Sequence, residues 1–189
     1  ISGTLAEQAL VRKGQYVPVP AGLDLAQAAA LPNAVIGAAM ALRFRAKMKA
    51  GDVVLINGAT GVTGQLAVQL AKLAGASRII VTGRNTGILE ELRTLGADEV
   101  ISLLDSDETV IERIRKVHQE TPVSCVIDYL WGKPMEWILT AFKGGGVAVF
   151  TTQVKIVTVG SMAGEQITLA SGTLRSAAIE LLGSGLGSL

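Results

Sequence analysis

Residues 52–74 constrain the fold of this chain more than any other part of the sequence. They open on the apolar run 53–56, which is rich in β-branched residues and lacks helical periodicity, as expected for a strand buried on both faces of a parallel sheet. Glycines follow at three-residue spacing, and apolar residues then recur at helical spacing as far as Gly75. The order strand, glycine-rich turn, helix directs unpaired backbone N–H groups and the positive end of a helix toward a phosphate.

The glycines of this turn are Gly58, Gly61 and Gly64. Gly61 removes a side chain where the backbone approaches a pyrophosphate, and Gly64 allows the helix to pack closely on the strand. In the usual G-x-G-x-x-G register the first position is Ala59, so the sequence is an A-x-G-x-x-G variant. A tight strand-to-helix turn without a ligand has the same pattern, and the rest of the chain must decide between the two.

Strand and helix patterns alternate beyond Gly75. The predicted strands are 78–82, 99–102, 124–128 and 154–159, and the predicted helices are 86–95, 105–119 and 134–142. Residues 143–146 form a predicted glycine-rich turn, and 147–150 also have a strand pattern. We take 154–159 as the fifth core strand because a ligand-facing turn, Gly160–Ser161, follows it. The order predicts an α/β fold, a doubly wound parallel sheet of the Rossmann type.

The two ends of the chain give further predictions. Residues 24–31 have a helical pattern with Asp24 as N-cap, and Pro32 is expected to end that helix before a second one at 33–48. Residues 172–178 have a short helical pattern. The apolar run 179–182 is expected to be an edge strand through which the chain forms a homodimer.

Composition excludes several classes of function. A net charge of +1 without a basic run gives no support to capture of nucleic acid or of an anionic membrane. Cys125 is the only cysteine and His118 the only histidine, so a disulfide framework is excluded and a Cys/His zinc site lacks ligands. We recognise no signal peptide and no long apolar span, and therefore expect a cytoplasmic protein.

The end of the second predicted strand indicates the coenzyme. In this fold an Asp or Glu about 20 residues past the turn binds the ribose 2′-OH of NAD. Here Gly83, Arg84 and Asn85 follow the strand, and no carboxylate is present. Arg84 offers a planar cation suited to a 2′-phosphate, and Thr82 and Asn85 offer neutral donors. The pattern favours NADP(H).

Several segments together resemble the medium-chain dehydrogenase/reductases, and within them the zinc-free, zeta-crystallin-like quinone oxidoreductase branch. The matching segments are GTLAEQALV, LAQAAALPNA, KAGDVVLINGATGVTGQLAVQLAKLAGA, ELRTLGADEVI, VIDYLWG and VGSMAG. The resemblance implies hydride transfer from NADPH to a quinone or an activated alkene or carbonyl. It also implies that residues 1–23 are the last piece of a GroES-like catalytic domain, and that 24–189 are a Rossmann domain incomplete at its C-terminus.

The same resemblance implies the cofactor contacts. They are Gly61, Val62 and Thr63 for the pyrophosphate, Gly83, Arg84 and Asn85 for the adenosine end, Leu130, Val159, Gly160 and Ser161 for the ribose and nicotinamide, and Asn33 near the nicotinamide. It assigns no catalytic acid or base and no metal ligand within this chain.

Three features depart from the family's pattern. The G-L-T motif reads Val35, Ile36, Gly37, and a tyrosine near the end of the third strand is replaced by Leu103. A phosphate-binding lysine past the second strand is replaced by Ile88. Arg84 is therefore expected to bind the 2′-phosphate without help from a lysine.

Two alternatives remain at this point. Tyr129 and Lys133 have the spacing of the Y-x-x-x-K pair of atypical short-chain reductases, in which both residues lie on one helix face. Pro134 and the strand pattern before Tyr129 argue against a shared helix turn. The other alternative is a non-catalytic NADPH-binding sensor or structural protein.

Overall fold

The computed structural model describes residues 6–143 and 152–185. A π-helical turn, Ala41–Arg45, follows the first helix. The helices are α1 (Leu25–Met40), α2 (Val62–Leu73), α3 (Thr86–Leu95), α4 (Asp107–Glu120), α5 (Gly132–Phe142) and α6 (Ser171–Ser176). The strands are β1 (Val53–Asn57), β2 (Arg78–Gly83), β3 (Glu99–Ser102), β4 (Cys125–Asp128), β5 (Val154–Thr158) and β6 (Ile179–Gly183).

The six strands form one parallel sheet in the order β3-β2-β1-β4-β5-β6. This is the doubly wound order, in which the order of successive strands reverses between β1 and β4. Ligands of such sheets bind at the carboxyl ends of the strands at that point. The predicted Rossmann-type fold is confirmed, with 154–158 as the fifth strand. The predicted strand at 147–150 lies outside the described residues.

Alternate residues of the central strand β1 point to opposite faces of the sheet. Val54 and Ile56 belong to an apolar cluster with α2 and α3, whereas Val53 and Leu55 belong to another with α4 and α5. All five residues of β1 are buried, as a strand covered on both faces requires. This packing on both faces holds β1 in the middle of the sheet, so its carboxyl end lies between those of β2 and β4.

Pro32 does not end the first helix, and the predicted break at that residue is wrong. Helix α1 continues through Pro32 to Met40, and the predicted second helix at 33–48 is replaced by the end of α1 and the π-helical turn. A proline removes only its own N–H from the helical ladder, so neighbouring residues can remain helical on both sides. Asp24 caps the helix as predicted, its Oδ1 accepting from the Gln27 N–H at 3.0 Å.

The chain divides into two compact units, Ile1–Pro32 and Asn33–Leu189. No strand is present in residues 6–23, the described part of the stretch that the resemblance assigns to a GroES-like domain. The assignment of residues 1–23 to a GroES-like domain and of 24–189 to the Rossmann domain stays a prediction. The sheet and the site described below belong to the second unit.

One stretch, Leu25–Arg45, is apolar and long enough to cross a membrane by length and composition, with a mean hydropathy of 1.5. No such span was expected from the sequence. Core helices of soluble proteins meet the same criterion, and Ala38, Ala41 and Leu42 from this stretch are buried in the sheet's apolar cluster. The stretch is therefore weak evidence for a membrane span.

Cys125 and His118 are both buried within the second unit. Burial raises the pKa of the Cys125 thiol to about 12, which makes this cysteine unreactive in the folded protein. The His118 ring packs on Phe142 with centroids 4.4 Å apart, and its Nδ1 accepts a hydrogen bond from the Val123 N–H at 3.1 Å. Both side chains are therefore interpreted as parts of the protein interior and not of a reactive site.

We expect acid to destabilise the fold through His118. Burial lowers the pKa of His118 below 6.5, so its stabilising contribution is present above pH 6.5 and is lost progressively as the pH falls from 6.5 through the lower pKa of the folded state. Between pH 7.5 and 5.5 the loss reaches up to about 1.4 kcal/mol. Urea unfolding at the two pH values, on wild type and on the non-titrating His118→Gln variant, measures it. An equal pH dependence in both proteins would contradict this cause.

Candidate functional site

The turn between β1 and α2 leaves the start of α2 open. Gly61 is the N-cap residue, no side chain caps the helix there, and a Cβ placed on Gly61 would meet nothing within 4 Å. A Cβ on Gly64 would lie 2.6 Å from the Cα of Ala59, so only glycine allows α2 this close to the turn. Gly58 has a φ of +86°, which also favours glycine. The free N–H groups of α2 are thus accessible to an anion.

A cavity of about 360 Å³ adjoins this turn. Seven of the residues predicted to contact the cofactor line it: Gly61, Val62, Thr63, Gly83, Arg84, Leu130 and Gly160. The other lining residues were not predicted as cofactor contacts: Gly58, Thr60, Gly64, Leu103, Tyr129 and Met162. Apolar side chains and glycines dominate the lining, which suits the flat surface of an adenine ring.

Arg84 is the one charged residue among the described residues that line this cavity. Its side chain is exposed and, within residues 6–143 and 152–185, forms no ion pair. Arg78 and Arg93, at the start of β2 and on α3, are by contrast paired with Glu120 and Glu90. The Arg84 guanidinium is therefore available to an anionic ligand group.

Thr82 does not offer a donor to a ligand, and that part of the sequence interpretation is wrong. Its side chain is fully buried, and its hydroxyl donates to Asn57 Oδ1 at 2.6 Å. Asn85 lines none of the three cavities described here. It caps α3, its Oδ1 accepting from the Ile88 N–H at 3.1 Å. Its assignment as a cofactor contact stays a prediction.

Two further cavities adjoin the carboxyl ends of β4 and β5. One, of about 250 Å³, is lined by Asn33, Ala34, Gly37, Met40, Thr63, Tyr129, Val159, Ser184 and Gly185. The other, of about 340 Å³, is lined by Trp131, Thr158, Val159, Gly160, Ser161, Glu165, Ser184 and Gly185. The predicted contacts Asn33, Val159 and Ser161 therefore lie beside cavities separate from the first, and Thr63 lines both the first and the second.

A buried polar network joins the ends of three strands and was not predicted from the sequence. Asp128 Oδ1 accepts from Asn57 Nδ2 at 2.7 Å, and Asn57 Oδ1 accepts from the Thr82 hydroxyl. The Thr82 oxygen in turn accepts from the Gly58 N–H at 3.3 Å. The network thus ties the glycine turn to β4 and β2 across β1. The signal available in the sequence was a polar residue at, or next to, the end of each apolar strand.

Asp128 also positions the turn after β4. Its carboxylate accepts from the Leu130 N–H at 3.0 Å and from the Trp131 N–H at 3.1 Å. Burial raises the pKa of Asp128, and its hydrogen bonds from Leu130, Asn57 and Trp131 act in the opposite direction. The side chain faces other protein groups and lines none of the three cavities, so its role is to hold the site's shape.

Tyr129 and Lys133 do not form the catalytic pair of a short-chain reductase. Tyr129 directly follows β4, whereas Lys133 lies on α5 and pairs with Asp107 at 3.5 Å and Glu136 at 3.8 Å. Burial raises the pKa of Tyr129, which is opposite to the effect of an adjacent lysine in such a pair. The geometry removes this alternative.

Comparison with known proteins agrees with this architecture. The profile of the family described as "Zinc-binding dehydrogenase" matches residues 62–188. The quinone oxidoreductase of Sus scrofa is 32% identical over 146 residues, which are 77% of this chain and 44% of that protein. The chloroplastic NADPH-dependent alkenal/one oxidoreductase of Arabidopsis thaliana is 44% identical over 101 residues, 52% of this chain and 25% of that protein.

Among solved structures, the quinone oxidoreductase of Thermus thermophilus, also crystallised in complex with NADPH, superimposes with a TM-score of 0.76 at 29% identity. The match covers 97% of this chain and 55% of that structure. The chain thus spans about half or less of the length of these relatives. This chain belongs to the zinc-binding dehydrogenase family, as a cofactor-binding domain of the quinone oxidoreductase-like branch of the medium-chain dehydrogenase/reductases.

Proposed function

We propose that the chain binds NADP(H) in the cavity beside the glycine turn. The observation that carries the proposal is the exposed Arg84, which has no ion pair within the described residues and lines the same cavity as the open N-terminus of α2. A 2′-phosphate at Arg84 and a diphosphate at Gly61–Thr63 would each meet positive charge or free N–H groups. No Asp or Glu lines this cavity in the described part of the chain, so nothing there repels the extra phosphate.

We further propose that the whole protein is an oxidoreductase that transfers hydride to a quinone or an activated alkene or carbonyl. The reduced nicotinamide supplies the hydride when it is bound. The chain's own contribution is to bind the adenosine and diphosphate and to hold the turns after β4 and β5 in place. The quinone and alkenal/one oxidoreductases among the relatives support this substrate class.

Zinc independence is part of the proposal. The described residues, 6–143 and 152–185, contain no group of three His, Cys, Asp or Glu that fits a metal ion. His118 Nδ1 accepts a backbone hydrogen bond, and Cys125 is a buried thiol with a raised pKa, so neither is suited to ligation. No step of the proposed chemistry here passes through a metal.

Stopped-flow mixing of NADPH with a simple quinone or an enone, on the full-length protein, tests the reaction. We expect oxidation of NADPH that saturates with the acceptor concentration. Addition of zinc or a chelator should leave the rate unchanged. If NADPH binds but no acceptor oxidises it, the non-catalytic sensor or structural role replaces the enzymatic one.

We also propose a homodimer formed through β6, without nucleic acid or membrane partners, in the cytoplasm. β6 is an edge strand paired only with β5 in the described sheet, and its residues are partly or fully exposed. An uncovered edge offers unpaired backbone groups to a second sheet. Light scattering should give twice the mass of the chain, and substitution of Leu181 with proline should give a monomer. A monomeric wild type would contradict this contact.

A further inference from the structure

Tyr129 carries a buried polar atom that has no partner. The residue is 9% exposed, and within the described residues its hydroxyl oxygen forms no hydrogen bond. The neighbouring buried side chains Asn57, Thr82 and Asp128 are all hydrogen-bonded. Folding that leaves a hydroxyl without a partner is unfavourable, so such a group in a native protein calls for an explanation.

The main chain holds Tyr129 firmly in place. Its N–H donates to the Asn57 carbonyl oxygen at 3.0 Å, and its own carbonyl accepts from the Met162 N–H at 3.3 Å. A Cβ on Gly160 would lie 2.9 Å from the same carbonyl oxygen, so the turn after β5 packs directly on this residue. The missing partner is therefore not explained by a loosely placed main chain.

Tyr129 lines two cavities. It borders both the cavity of about 360 Å³ beside the glycine turn and the cavity of about 250 Å³ that reaches Asn33 and Val159. Thr63, in the first turn of α2, is the other residue that lines both. Thr63 and Tyr129 therefore lie where a dinucleotide that extends from the first cavity into the second would pass.

We infer that the Tyr129 hydroxyl hydrogen-bonds the nicotinamide half of the bound coenzyme, at its phosphate or ribose oxygens. This inference rests on the proposed binding of NADP(H). The phosphate and ribose oxygens of that half are acceptors for the proton of a phenol. Because burial raises the pKa of Tyr129, the phenol keeps its proton at neutral pH and acts as the donor.

The test compares two ligands on wild type and Tyr129→Phe. NADPH contains the nicotinamide half, whereas adenosine 2′,5′-bisphosphate contains only the adenosine end that Arg84 is proposed to bind. We expect the substitution to weaken NADPH binding about two- to tenfold, as loss of one hydrogen bond does, and to leave bisphosphate binding unchanged. The melting temperature without ligand should be equal or higher, because the unpartnered hydroxyl is gone.

Trp137→Phe is the matched control. Trp137 Nε1 is also buried without a partner among the described residues, but Trp137 lines none of the three cavities. This variant should bind both ligands as wild type does. Equal NADPH affinity in wild type and Tyr129→Phe would overturn the contact, and so would equal weakening for both ligands. A folded wild type that binds neither ligand would overturn the proposed function itself.

Discussion

Replacement of Arg84 with alanine is expected to weaken NADPH binding about ten- to hundredfold and to leave NADH binding nearly unchanged. A hydrogen-bonded charge pair contributes about 1.5–3 kcal/mol, and only NADPH has the 2′-phosphate that would form it. Position 88 holds isoleucine, so no lysine there replaces the lost cation. Fluorescence titration of wild type and variant with both reduced coenzymes measures the difference.

Arg93→Ala is the control for this result. Arg93 is an exposed arginine on the following helix α3, it pairs with Glu90 at 2.8 Å, and it does not line the cavity. Its replacement should leave both affinities as they are. Equal losses for NADPH and NADH in the Arg84 variant would contradict the assignment of the 2′-phosphate to this side chain.

Gly61→Ala is expected to weaken NADPH binding, whereas Gly64→Ala is expected to destabilise the fold. At Gly61 the new methyl group meets no protein atom within 4 Å, so unfolding free energy should fall by only about 0.5–1 kcal/mol, the cost of alanine at an N-cap. It would occupy the space proposed for the diphosphate. NADPH binding should weaken about ten- to hundredfold, as for an overpacked contact.

At Gly64 the methyl group would lie 2.6 Å from the Cα of Ala59 and 2.7 Å from the Gly58 carbonyl oxygen. Backbone atoms cannot rotate away, so α2 must shift, at a cost of about 2–3 kcal/mol. Thermal unfolding and NADPH titration on both variants separate the two effects. A Gly64→Ala protein as stable as wild type, or a Gly61→Ala protein that binds NADPH as tightly, would contradict this account.

The sheet could be predicted because its determinants are local. The apolar runs and the amphipathic segments between them gave β1 to β5 within about one residue, and Gly61 and Gly64 identified the turn. The edge strand β6 was also expected. These features depend on side-chain periodicity and on backbone freedom, both of which can be read from the residues themselves.

The polar network at the strand ends depends on register, and register is a tertiary property. Asn57 is aligned with Thr82 on one side and with Asp128 on the other. Only this alignment places the three side chains in a row. Because of it, the Thr82 hydroxyl donates to Asn57 and not, as had been expected, to a ligand. The sequence shows three polar residues 25 and 46 positions apart, with no local pattern that links them.

Pro32 and Tyr129 show two other limits of sequence interpretation. A proline inside a helix is locally unfavourable, yet helix α1 continues across Pro32. The local propensity of this residue therefore did not decide where the helix ends. Tyr129 was considered only for its spacing to Lys133. Its position between two cavities follows from the packing of the turns after β4 and β5, which no spacing in the sequence indicates.

Titration of the folded wild-type chain with NADPH and NADH, followed by nicotinamide fluorescence, tests the central claim most directly. We predict saturable binding of both coenzymes, with NADPH bound about ten- to hundredfold more tightly. Absence of binding by either coenzyme, in a sample with native circular dichroism, would contradict the assignment of this glycine turn to a dinucleotide.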